Sequence, residues 1–232
     1  MKLIYTFILI WVGLAHVANA QRTEIVADNN ILKTPGIKIA FKPATKVTYN
    51  DKNEVISGIL NTNTTLWTTG PLVLFMGDNK INLNQRGKVI SGTLAQNTQL
   101  WTTNLNLNFR GGSVVSFNDN GKVISGVLAE NIEIEVAGGN ILTCVNQQNV
   151  KFSDSGMILS CILAKNATLL NTGNISLQFM AGTTINFNLK GQVESGTLAK
   201  KANLMTKSGK NMVYQGGTFV SFDATGHEIS VK

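Results

Sequence analysis

Two tryptophans, two cysteines and a serine that recurs before glycine are the residues whose type and spacing could do chemistry in this chain. Trp67 and Trp101 stand 34 positions apart (101 − 67), each preceded by a leucine, Leu66 or Leu100, and followed by two threonines. Neighbours on a strand face opposite sides, so burial of the leucines would aim the indoles outward. Exposed aromatic faces suit the apolar surfaces of sugar rings. Local core filling is the competing reading. Glu135, Leu170 and Met205 take the equivalent later positions, which confines the tryptophans to the N-terminal half.

The serines of the recurring Ser-Gly pair are Ser57, Ser91, Ser125, Ser160, Ser195 and, before valine, Ser230. A serine nucleophile needs a base and a strand-to-helix elbow, and the pattern supplies neither. Of two histidines, His16 falls in a leader and His227 in the last turn, a poor foundation for a triad. The 13 acidic residues show no spacing that singles out a pair for glycoside cleavage. Asp51, Asp119 and Asp154 sit in the equivalent turns of their copies, where turn chemistry explains them better than calcium binding. The expectation is a non-enzymatic protein with no catalytic residue, cofactor or metal; an envelope hydrolase is the weaker alternative.

The recurring serine belongs to a longer repeat: VTYNDKNEVISGIL, INLNQRGKVISGTL, VSFNDNGKVISGVL, VKFSDSGMILSCIL, INFNLKGQVESGTL and VSFDATGHEISVK. A period of 34 or 35 residues implies stacked copies of one supersecondary unit. Within one copy, Leu105, Leu107 and Phe109 alternate with asparagines, as in a half-buried strand. A turn at 110–113 leads to Val115 and Phe117, a second at 118–121 to a strand over 122–128, and a less regular stretch to the next copy. The glycines that end the second turn, Gly87, Gly121, Gly156, Gly191 and Gly226, fit a positive φ. These readings predict an all-β fold whose tandem 34-35-residue antiparallel repeats form a curled or solenoid-like sheet. They place a single β-repeat domain over 21–232, with about five full repeats and partial ends.

The repeat also predicts a contact. Phe41, Phe75, Phe109 and Phe179 each precede a glycine by seventeen residues: Gly58, Gly92, Gly126 and Gly196. In the remaining copy both positions change together, to Cys144 and Cys161. A ring covering a strand glycine is a known packing device, so the paired replacement implies that the positions touch and that the cysteines form a disulfide. In a flat meander the first and third strands would lie roughly 9.5 Å apart, beyond disulfide reach. The bond therefore favours a coiled or closed sheet.

Residues 1–20 read as a secretory signal peptide, with Lys2, an apolar run from Leu3 to Ala15, and Ala18-Asn19-Ala20 ahead of Gln21. The run is short against the roughly 20 residues of a spanning helix, so the expectation is export to the periplasm or outside the cell rather than membrane insertion. An oxidising compartment would preserve the disulfide. With 43% hydrophobic and 14% charged residues the chain is expected to fold. Its net charge of +7 favours an anionic or glycan surface ligand, with ordinary solubility as the competing reading, but no basic run or aromatic-rich basic stripe signals nucleic acid. Self-association through the terminal repeats is a further expectation. Asn63-Thr64-Thr65, Asn166-Ala167-Thr168 and Asn174-Ile175-Ser176 match glycosylation sequons.

The string VSFNDNGKVISG over 115–126 resembles the tandem β-hairpins of MORN-type and antitoxin-like repeat proteins. The likeness covers about twelve residues of each period; the remainder departs, being longer and poorer in Tyr and Trp. It implies a scaffold or interaction surface. The functional expectation is an exported binding or structural module at the cell envelope or outside the cell, with a carbohydrate-binding adhesin using Trp67 and Trp101 as the alternative.

Overall fold

The computed structural model describes residues 21–28 and 30–231. The predicted signal peptide lies outside the described residues. No helix among them is long and apolar enough to cross a membrane.

Alternation sets the main sheet. In Val114–Phe117, Val115 and Phe117 are buried while Val114 and Ser116 face outward. Thirteen such strands pair antiparallel in chain order. From one edge they are Thr23–Ile25, Lys46–Tyr49, Val55–Ile59, Lys80–Leu83, Val89–Thr93, Val114–Phe117 and Val123–Val127. Asn149–Phe152, Ile158–Ile162, Thr184–Phe187, Val193–Thr197, Phe219–Phe222 and Glu228–Val231 complete it. The sheet is open: its two edge strands do not pair with each other.

Between successive pairs of these strands the chain leaves the sheet to form a separate two-stranded hairpin. Thr64–Trp67 pairs with Leu72–Phe75, and Thr98–Trp101 with Asn106–Phe109. Ile132–Val136 with Asn140–Cys144, and Ala167–Leu170 with Ser176–Phe179, repeat the arrangement. The all-β repeat architecture expected from the sequence is present, but the unit is not a three-stranded meander. The stretch read as irregular supplies the first hairpin strand, and each period divides four strands equally between two layers.

The core fills the space between the layers. Phe41, Phe75, Phe109 and Phe179 on the hairpins are almost fully buried against the sheet. A Cβ added at Gly58 or Gly126 would stand 2.6 Å from the Phe41 or Phe109 ring, and at Gly196 2.8 Å from Phe179. The rings thus lie on bare backbone, as the seventeen-residue pairing requires. In the fourth copy Cys144 of the hairpin and Cys161 of the sheet replace ring and glycine, with Cα atoms 5.9 Å apart and the two sulfurs in contact. Neither a closed sheet nor strong curvature is needed for this approach, because the cysteines come from facing layers. The geometric objection raised by a flat meander disappears with the meander.

Most sheet hairpins turn through one device. Asn118 Oδ1 accepts hydrogen bonds from the backbone N–H of Asn120 (3.1 Å) and Lys122 (3.0 Å), and Gly121 takes φ 71°. Asn84, Asn188 and Asp223 accept in the same way. After each turn the register shifts by one residue, as at Ser116/Phe117, so that Phe117 faces Val123 and Ser116 faces Ser125. Ile124 is the extra residue of a bulge. Consequently Ile124 and Ser125, though adjacent, both lie on the outer face, while Val123 and Gly126 face the core.

Candidate functional site

Trp67 and Trp101 lie at the ends of their hairpin strands, 49% and 53% exposed, while Leu66 and Leu100 are buried beneath. The structure therefore turns both indoles outward, at equivalent places on the hairpins of successive units. A lysine ammonium sits by each ring: Lys88 at 5.4 Å from the Trp67 centroid and Lys122 at 5.8 Å from that of Trp101. Such cation–π contacts at exposed sites are worth about 0.5–1 kcal/mol. The same two positions, 21 residues apart, hold Lys33 and Glu54 in the first copy, joined at 2.9 Å. Tryptophan and lysine thus occupy a recurrent contact between hairpin and sheet turn, and present an aromatic face there as well.

The outer face of the main sheet carries a second feature. Strand register aligns one polar residue per strand, short in every strand but one. Thr23 stands beside Thr48, Thr48 beside Ser57, Ser57 beside Asn82, and Asn82 beside Ser91. Ser116, Ser125 and Lys151 continue the line. Ser160, Asn186, Ser195, Ser221 and Ser230 complete it, so that the row crosses all thirteen strands. At one spacing of 4.7–4.9 Å per strand, it runs for about 58 Å.

Serines sought as nucleophiles are half of this row, and the intervening strands provide the rest. The row's members hydrogen-bond along it: Ser57 Oγ donates to Asn82 Oδ1 (2.7 Å), and Asn82 Nδ2 donates to Ser91 Oγ (2.8 Å). Asn186 Nδ2 donates to Ser195 Oγ at 2.9 Å. The bulges place Ile56, Ile90, Ile124 and Leu159 along one flank. Ile59, Val127 and Ile162 line the other flank, two residues beyond their serines. Thr48, Ile56, Ser57, Asn82, Ile90 and Ser91 line part of a groove of about 480 Å3 on this face. Periodicity named the serines but not their line, because the bulge that brings them onto the outer face has no single-residue signature.

The other sequence candidates find local roles. Asp119 and Asp154 come from adjacent turns to one groove of about 420 Å3, where Asn118 Nδ2 donates to Asp154 Oδ1 at 3.2 Å. His227 Nδ1 lies 2.8 Å from Thr225 Oγ1 and 3.8 Å from Asp223 Oδ2, within the last turn. The Thr225 hydroxyl, foremost, holds the Asp223 carboxyl below its usual range, with backbone N–H groups and His227 contributing. Two of the sequon asparagines are structural acceptors: Asn63 Oδ1 receives the Gly77 N–H (2.8 Å) and Asn166 Oδ1 that of Ala181 (2.7 Å). Asn97 and Asn131 do the same in copies without a sequon, so the fold accounts for this asparagine. Among the described residues, no three His, Cys, Asp or Glu side chains gather as a metal set.

No protein-family model, curated protein or solved structure matches the chain.

Proposed function

We propose that this protein is an exported, non-enzymatic repeat scaffold that acts as a binding or structural module at the cell envelope or outside the cell. The observation that supports it is the register of the main sheet, which lines up equivalent residues from every copy into one extended surface. Solenoid stacks use such surfaces to hold long ligands. The MORN-type resemblance of the hairpin string points to the same kind of role. A disulfide across the two layers is consistent with an oxidising compartment.

The test is to express the full chain with a C-terminal tag and follow it through fractionation. The expected product begins at Gln21, appears in the periplasm or medium, and carries no free thiol. An unprocessed, reduced protein in the cytoplasm would overturn the proposal. Release of soluble sugars or peptides from envelope polymers, lost on neutralising one carboxylate, would replace it with the hydrolase.

The outward indoles, each with its lysine, favour a second reading: a glycan adhesin acting through Trp67 and Trp101. Trp67→Ala with Trp101→Ala, folded as judged by an unchanged far-UV spectrum, is expected to lose retention on the glycan concerned. Undiminished retention removes that site.

A further inference from the structure

We propose that the row across the outer face of the thirteen-stranded sheet is the floor of a trough that holds one extended chain of a neutral polysaccharide. This rests on the binding-module reading above and names its ligand class and surface.

The trough follows from side-chain size. Serine, threonine and asparagine are short, and ten of the row's thirteen residues are half-buried although no second layer among the described residues covers this face. The taller walls are largely aliphatic, with Ile56, Ile90 and Ile124 at the bulges and Ile59, Val127 and Ile162 opposite, interrupted by Glu194 on the first and Lys80 on the second. An antiparallel sheet face left to water needs only polar side chains, and charged ones keep it soluble. Here the row holds a single charge, Lys151, in a chain with 33 charged residues (20 + 13). Serine is also not a strand-favouring type, so strand propensity does not explain its recurrence.

Charge and hydrogen bonding select the occupant. A nucleic acid or acidic glycan needs cations all along its path, whereas this face offers Lys151 on the floor and Lys46 and Lys80 on one flank, with Glu194 on the other, too few and too scattered to follow it. An extended peptide binds a sheet through free backbone groups at an edge, and backbone groups inside this sheet are already paired across it. A neutral sugar chain presents hydroxyls on its edges and C–H surfaces on its faces, and advances by about one strand spacing per ring. The floor supplies a hydroxyl or amide at every strand but Asn149–Phe152, and the walls an aliphatic contact at every second strand from Val55–Ile59 to Ile158–Ile162. Ser57 and Ser91 hold the Asn82 amide in one orientation, which leaves the Ser91 proton for an acceptor outside the protein. Such pre-set groups lower the ordering cost of binding.

The processed, oxidised protein is to be mixed with insoluble cellulose, chitin and β-1,3-glucan, with alginate and a sulfated glycan as anionic comparisons. Retention is expected on at least one neutral polymer, with affinity for its oligosaccharides rising at least tenfold between four and ten rings. Ser91→Arg with Ser125→Arg raises the floor at solvent-facing positions, and Ile90→Asn with Ile124→Asn lowers one wall. Each pair is expected to weaken binding tenfold or more with an unchanged far-UV spectrum.

Four results would overturn the trough: no neutral polymer retained, retention on anionic polymers only, binding indifferent to both trough pairs, or a dimer in sedimentation that those pairs dissociate. Any of these leaves the scaffold reading standing if another ligand is found. Turnover of a bound polysaccharide would instead sink the non-enzymatic reading while keeping the trough.

Discussion

Phe109 and Gly126 act as one unit, because the ring occupies the space a side chain at 126 would need. Phe109→Ala should cost about 3–5 kcal/mol and Gly126→Ala about 1–3 kcal/mol through overpacking. Residues in contact couple, so the double variant should cost less than the sum in urea unfolding. Cys144 and Cys161 replace such a pair, and closing their 17-residue separation should contribute about 3 kcal/mol that a reductant removes. Cys144→Phe with Cys161→Gly would restore the pair used elsewhere. That variant should fold and melt alike with and without dithiothreitol; a persistent requirement for the cross-link would show the fourth copy to be built differently. Acid adds a further prediction at this scale. Lys33, then Asn50, holds the Glu54 carboxyl below its usual range, as Thr225 does for Asp223. Folded-state values below the unfolded ones mean that the native state binds fewer protons, so this stability is complete above the ordinary carboxylate range and is lost as pH falls through the lowered values. Glu54→Gln and Asp223→Asn should each flatten the decline in urea midpoint between neutral and acid pH.

The sheet hairpin was legible in the sequence because its chemistry is local. Asn118 and Gly121 lie three residues apart, and the acceptor and the positive φ that the turn requires can be read from their types. Asn118→Ala leaves two backbone N–H groups without their acceptor and should cost about 1–2 kcal/mol in thermal unfolding. The division of each period between two layers was not legible. Leu105, Leu107 and Phe109 alternate as strand residues do in either layer, and alternation gives the buried face without naming the partner. Partnership is decided at a distance: Thr103 Oγ1 donates to the Asp154 carbonyl (2.7 Å) and Asn104 Nδ2 to that of Ser155 (3.1 Å), both 51 residues on. These bonds tie the end of one hairpin to a sheet turn beyond the next hairpin. The same long reach holds Asn171 to the Gly226 carbonyl at 3.2 Å.

Across the whole molecule, stability should behave as a sum over units and their neighbours. Removing 92–125, one 34-residue period (125 − 92 + 1), joins Ser91 to Gly126 and preserves the Ser-Gly pair. The shortened chain should remain folded and β-rich with a lower melting temperature, whereas removing 92–108 should abolish cooperative unfolding because it ends within a hairpin strand. Period, fold class, turn positions and the partnership of Cys144 with Cys161 were determined by the sequence alone, since each depends on residue types repeated at constant separation. The outward aspect of Trp67 and Trp101 followed from the same alternation once their leucines were buried. Two layers, an open sheet and a straight polar row from Thr23 to Ser230 were decided only in the tertiary structure. Their physical cause is register: hydrogen bonding between strands far apart in the chain fixes which serine stands beside which asparagine, and a one-residue bulge turns both to the same side.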